Sequence, residues 1–238
     1  MKSKSRELKG SMKQFIAVLG VMGMLVPGAA FAQNTQNTPS AQAQEVKNSS
    51  AAVAQVLPEQ TIQNLVTAYA SGLNMQAKYL LYAGKADDEG YKKVGQLFRA
   101  MARSEAVQAA VYSRALAGFS ANKTDPEIEP VEPKTTVENI KDTMKLETKE
   151  YETVYPGFLT QAMKDDVKLA MVAFGGAIRV KTKHKFLYQT ILRNPEAWQT
   201  ASTAGFYVCK RCGNTVAELD FERCPNCRVP ITWYLQVE

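Results

Sequence analysis

Histidine and cysteine are scarce in this chain, with one of the first and four of the second among 238 residues. Four cysteines are too few to staple a chain of this length into a disulfide scaffold, so their spacing matters more than their number. The 22% of charged residues excludes a membrane bundle, and 14 glycines and 10 prolines do not make a low-complexity polymer. A basic surplus is largely missing too. The formal net charge is +6, yet residues 1–32 carry five of the 29 basic residues and one of the 23 acidic ones, leaving +2 for the remainder. A nucleic-acid partner therefore has no compositional support. What is present is 45% apolar residue content, enough for one sizeable core and a small appendage.

The N-terminus reads as a secretory signal over residues 1–32. A basic start leads into the apolar run from Phe15 to Val26, then Pro27-Gly28 and Ala30-Phe31-Ala32. That run is short for a bilayer span, and its small-x-small ending suits cleavage after Ala32. The expectation is a periplasmic or secreted protein, free of the membrane after signal cleavage. No cysteine near the cleavage point offers a lipid anchor, and no Arg-Arg pair marks export of a folded chain. Any metal would then be acquired outside the cytoplasm. Residues 33–57, rich in Gln, Asn, Ala, Ser and Thr and without aromatics, read as a flexible linker.

Four helical patterns follow over residues 58–194. The first runs from about Thr61 to Glu89, with apolar positions at Ile62, Leu65, Val66, Tyr69, Leu73 and Leu80. The second, about Tyr91 to Leu116, lies beyond Gly90. A proline-rich acidic loop, Thr124 to Lys134, crosses to a third helix that Thr135 and Glu138 open as a capping box. Pro156 is expected to kink that helix. The fourth runs from about Asp166 to Arg193 and stops at Asn194-Pro195. Short, long and short connections predict a mainly α protein: a ferritin-like four-helix bundle with one long crossover.

Three of the apolar stripes are interrupted by polar residues at similar depth. The second helix reads Phe98, Met101, Glu105, Gln108, Tyr112; the third Ile140, Met144, Glu147, Glu150, Val154; the fourth Phe174, Ile178, Lys181, His184, Tyr188. Steps of three and four turn all of these residues inward. Unpaired charges cost several kcal/mol to bury, so these groups must meet one another or a metal. The first helix has Gly72 at the matching position, where glycine costs about 1 kcal/mol relative to alanine.

After Gly205 the composition changes. Cys209-Lys210-Arg211-Cys212-Gly213 is followed by Cys224-Pro225-Asn226-Cys227, two C-x-x-C knuckles that can place four thiolates around one tetrahedral metal. Disulfides are the competing reading in an exported protein. Redox-active dithiols lack the surrounding βαβ pattern. Residues 205–238 are too few to bury a core of their own, so a metal would also staple this module.

The order of parts resembles the rubrerythrin family: a ferritin-like domain followed by a small rubredoxin-like β/loop metal-binding domain. The resemblance covers about residues 60–238. It rests on Asn64-Leu65, Ala68-Tyr69-Ala70, Tyr79 and Glu89-Gly90-Tyr91 in the first helix, Glu147-Thr148-Lys149-Glu150 and Tyr155-Pro156-Gly157-Phe158 in the third, and the two cysteine knuckles. It implies a di-iron centre in the bundle that reduces hydrogen peroxide, with electrons arriving through a rubredoxin-type Fe(Cys)4 centre. It also implies a redox partner protein and head-to-tail homodimers. The metal ligands carried over are Cys209, Cys212, Cys224 and Cys227, with Glu105, Glu147, Glu150 and His184 in the bundle; Glu147 and Glu150 are the candidate catalytic residues. The departures are Gly72 and Lys181 where the family has glutamates, Gln108 where it has a histidine, and Lys149 where it has a tyrosine. An ammonium cannot ligate while protonated and repels a nearby cation. Two outcomes stand open for the core: a mononuclear metal held by the carboxylates and His184, or a metal-free network centred on Lys181.

The sequence thus predicts an exported redox protein that transfers electrons, with residual peroxide reduction if the bundle site still works. The alternative is a non-enzymatic structural or binding protein with zinc in the cysteine module, since iron and zinc both accept four thiolates.

Overall fold

The structure, a computed structural model, describes residues 58–121, 124–199 and 205–238. The expected signal peptide and linker lie outside the described residues. Helices α1 (Glu59–Asp88) and α2 (Lys92–Ala117) form a hairpin closed by residues 89–91. Residues 118–121 and 124–135 belong to the connection to α3 (Thr136–Lys149), which runs through a π-helical turn (Glu150–Val154) into α4 (Tyr155–Lys164); α5 (Lys168–Arg193) completes the bundle. Thr135 caps α3 with the expected reciprocal pair, its hydroxyl accepting from Glu138 N–H while Glu138 accepts from Thr135 N–H. Among the described residues no helix is long and apolar enough to cross a membrane.

The irregularity in the third rod lies one step ahead of the proline. Tyr155 N–H donates to the Glu150 carbonyl, an i to i+5 bond, and Pro156, which has no N–H, follows directly in the first turn of α4, where the bonding register changes. The extra residue rotates the inward stripe. Tyr155 is buried and Val154 only half-buried, a correction to the regular 3.6-residue reading that turned Val154 inward. Leu80 is a second correction: it is 51% exposed, off the buried face of α1.

The apolar core is divided. One cluster gathers Tyr79, Phe98, Met101, Ile140 and Tyr188; another gathers Leu65, Tyr112, Tyr155 and Phe174. Between the two clusters lie the buried polar residues of α2, the third rod and α5, and Gly72 on α1. A Cβ at Gly72 would stand 3.3 Å from the Ala109 Cβ, so glycine lets α1 and α2 approach closely at this level.

The C-terminal module is a three-stranded antiparallel sheet ordered β2–β1–β3, from β1 (Phe206–Cys209), β2 (Thr215–Val216) and β3 (Tyr234–Val237). Phe206 and Val208 are fully buried within the first bundle cluster, so module and bundle share a core. At the contact, Ser104 Oγ donates to Gly213 O at 2.7 Å. Gly213 has φ +78°, and a Cβ there would lie 2.9 Å from both Ser104 O and Ser104 Oγ. Gly213→Ala should therefore cost about 2 kcal/mol through backbone strain alone. It should also speed hydrogen exchange of the β1 amides; unchanged exchange and melting temperature would show that this approach does not hold the module.

A candidate tetrathiolate centre and a buried charge layer

The two cysteine knuckles fold as a matched pair. Gly213 N–H donates to Cys209 O, and Arg228 N–H to Cys224 O, each at 2.9 Å, so both turns close four residues on from their first cysteine. The Sγ atoms of Cys209 and Cys227 lie 3.7 Å apart, as do those of Cys212 and Cys224. All four come within 4.8 Å of one another. A metal about 2.3 Å from each sulfur of a tetrahedron sets neighbouring sulfurs about 3.8 Å apart. A disulfide would need about 2.05 Å. The donors thus fit one tetrahedral ion, and the cysteines are free thiols. Hydrogen bonds from the Cys209 and Cys212 thiols, then one from the Tyr234 hydroxyl at 3.2 Å, hold the Cys224 thiol far below its ordinary pKa against the opposing effect of burial.

The bundle's polar layer is equally specific. Lys181 Nζ, fully buried on α5, lies 2.9 Å from Glu105 Oε1 and 2.8 Å from Glu150 Oε2. Its ammonium also faces the Tyr155 ring at 5.7 Å. Ser71 donates to the other Glu150 oxygen at 3.1 Å. Glu147 accepts from the hydroxyls of Tyr79 and Tyr188, and His184 Nδ1 lies 3.1 Å from its Oε2. Burial alone would lower the Lys181 pKa, but Glu105 and Glu150 hold it well above the ordinary 10.5. The pull is not reciprocal. Burial raises the Glu105 pKa, and the Lys181 charge only partly offsets it because Glu147 and Glu150 crowd the same space. Burial also disfavours ionised Glu147, but His184 and then Lys181 outweigh it and bring its pKa below 4.5.

Two contacts join the layer to the module. Gln108 Nε2 donates to Cys212 O at 3.1 Å, while its Oε1 accepts from the Tyr112 hydroxyl at 3.2 Å. The Thr215 hydroxyl stands between His184 Nε2 (3.3 Å) and Gly213 O (3.1 Å).

Every candidate ligand from the sequence is therefore located. Cys209, Cys212, Cys224 and Cys227 converge, and Glu105, Glu147 and His184 also bring one ligand atom each within 4.8 Å of the others. Glu150 stands outside that group, paired with Lys181, which also holds Glu105. Tyr155, Ser71, Tyr79, Tyr188 and Thr215 were not singled out as members of the polar layer in the sequence. Tyr79 stood among the family motifs and Tyr188 on the apolar stripe, but neither position signals a hydroxyl aimed at Glu147.

Fold and sites together define a class: a ferritin-like bundle carrying a rubredoxin-like, four-cysteine module. The rubrerythrin family model matches residues 63–192. Rubrerythrin-2 of Clostridium acetobutylicum is 25% identical over 71% of this chain and 92% of its own length. Nigerythrin of Nitratidesulfovibrio vulgaris is 25% identical over 71% of this chain and 83% of its own. The structure of fully reduced, all-ferrous nigerythrin superposes with a TM-score of 0.69 at 24% identity, covering 74% of this chain and 86% of that one. The chain belongs to the rubrerythrin family, and with it to the iron-binding redox proteins.

The family's iron is matched unequally by these residues. The four thiolates fit one ion. The Glu105, Glu147 and His184 group has the donor set for a single ion. A pair of ions does not fit: the Lys181 ammonium lies between two of the carboxylates, Gln108 is engaged with Cys212, and Gly72 brings no side chain.

Removing the ammonium leaves Glu105 and Glu150 facing each other without a counter-charge. Lys181→Met should lower the unfolding free energy by about 3–5 kcal/mol, read from urea denaturation; a loss below 1 kcal/mol would mean that the carboxylates are not held by it. Acid titration tests Glu147. Because its folded-state pKa is depressed, it contributes stability above 4.5 that is lost as pH falls through the folded value, and Glu105, shifted upward, opposes it. Glu147→Gln should flatten the fall in the urea midpoint between about pH 5 and pH 3, and equal slopes in the two proteins would refute the assignment.

Proposed function

We propose that this chain is an exported electron-transfer protein whose working centre is an iron–tetrathiolate on Cys209, Cys212, Cys224 and Cys227, and whose bundle site has given up two-metal chemistry. The sulfur geometry carries the first half of the reading: four free thiols within 4.8 Å, with facing pairs at 3.7 Å. Iron bound there supplies a one-electron couple. The chain's own part is to hold the thiolates and temper their charge. Backbone N–H groups of Arg211 and Cys212 point at Cys209 sulfur, that of Asn214 at Cys212, and that of Cys227 at Cys224. Tyr234 adds a hydroxyl donor, and such hydrogen bonds favour the more negative, reduced state.

The second half rests on Lys181. A buried ammonium between Glu105 and Glu150 supplies the positive charge that a metal would bring, so the layer holds the four helices in register without an ion. The basic start, apolar run and Ala32 ending support a periplasmic or secreted setting. A redox partner protein and a homodimer belong to the same proposal. A second reading, residual peroxide reduction, is favoured by one observation: Glu105, Glu147 and His184 retain the donor set for a single ion.

Metal content per chain, measured on mature protein from its native host without added metal, tests both halves. The expected result is one iron, a red protein and a reversible one-electron couple. Lys181→Glu should raise iron uptake above one. About three irons in the unmodified protein would return a di-iron peroxidase; one zinc and no iron would make the chain a structural or binding protein. Peroxide consumption that is lost in Glu147→Ala would establish the second reading.

A further inference from the structure

Burial divides the four cysteines. Cys209 and Cys224 are buried, while Cys212 and Cys227 are partly exposed. Those two line one cleft of about 410 Å³ at the junction of α2, α5 and the module. Its walls carry three arginines, one from each part: Arg114 on α2, Arg179 on α5 and Arg211 in the first knuckle. No aspartate or glutamate lines it. Arg179 Nε is engaged with Asn226 Oδ1 at 2.6 Å, whereas Arg114 and Arg211 form no ion pair among the described residues. Beside them α5 exposes Leu169 (59%) and Val172 (71%), three residues apart and so on one helix face.

Arg211 alone could be explained by the negative charge of the thiolates beside it. Arg114 and Arg179 belong to the bundle, and the exposed Leu169 and Val172 are apolar surface that charge balance does not call for. An apolar centre rimmed by charge of one sign, at the exposed edge of a one-electron centre, is the make-up of a transient docking face. We propose that this cleft is where a redox partner docks, and that the partner is a small electron-transfer protein presenting carboxylates around an apolar centre. The proposal rests on the electron-transfer reading above for what the contact achieves, and on the charge and apolar surface of the cleft for whom it fits.

The probe is a plant-type [2Fe–2S] ferredoxin with an acidic face, titrated into the metal-loaded full chain at low and at 0.3 M salt. Calorimetry reads binding, and stopped-flow absorbance reads reduction of the centre by the reduced probe. The variants are Arg114→Glu/Arg211→Glu and a control with the same change in net charge on exposed α3, Lys141→Glu/Lys145→Glu. Binding and a second-order rate that fall at least tenfold with salt, and fall likewise in the arginine variant but not in the control, are expected. Equal losses in both variants, or salt-independent binding, would overturn the proposal. So would self-association in sedimentation that the arginine variant abolishes while the probe fails to bind, because a second copy would then be the occupant. Voltammetry of the same samples separates the two layers of the argument. Docking without a one-electron couple sinks the electron-carrier reading and leaves the surface standing; a couple without docking sinks the surface.

Discussion

A single ammonium buried among carboxylates sets the terms for the whole bundle. Lys181 reaches Glu105 on α2 and Glu150 at the start of the π turn, and lies over the Tyr155 ring. The two carboxylates come from different stretches of chain, so the cluster forms only when α2, the third rod and α5 are in register. Apolar packing alone tolerates small slides of one helix on another; a desolvated charge does not, because losing its partner costs several kcal/mol. The two apolar clusters above and below supply the bulk of the burial, and the layer between them fixes how they align.

The same layer reaches outward to the cysteine module. Gln108 donates to the Cys212 carbonyl, and Thr215 meets His184, so side chains on the buried faces of α2 and α5 help seat the module. Phe206 and Val208 anchor it from the other side in the first apolar cluster. These contacts are made within one chain. A glutamine suits this place better than a charged residue would: its amide satisfies a carbonyl and a tyrosine hydroxyl at once, without adding another charge to a layer that already holds three carboxylates.

Legibility in the sequence followed the range of the forces involved. The unbroken three- and four-residue steps of α2 and α5 turn Glu105, Lys181 and His184 inward, and the C-x-x-C spacing alone brings each cysteine pair together. The third rod was less legible. Its π turn adds one residue that no periodicity announces, so Tyr155 rather than Val154 faces the core. Contacts across the fold were not legible at all. Gln108 and Cys212 are 104 positions apart, and nothing in either local pattern specifies the other. Ser71 was hidden for a related reason: a serine one residue before Gly72 acquires meaning only once Glu150 is placed beside it.

The charge of the layer explains how three carboxylates can be buried in one core. Glu105, Glu147 and Glu150 are acceptors that need cations or donors around them. Lys181 supplies one positive charge, and Tyr79, Tyr188, Ser71 and His184 surround the remaining oxygens. One ammonium does not neutralise three carboxylates, and the surplus falls on Glu105, whose pKa burial and its two like-charged neighbours raise even though it touches the ammonium. The arrangement thus buries three carboxylates around one lysine, and removing the ammonium would leave Glu105 and Glu150 in need of another cation.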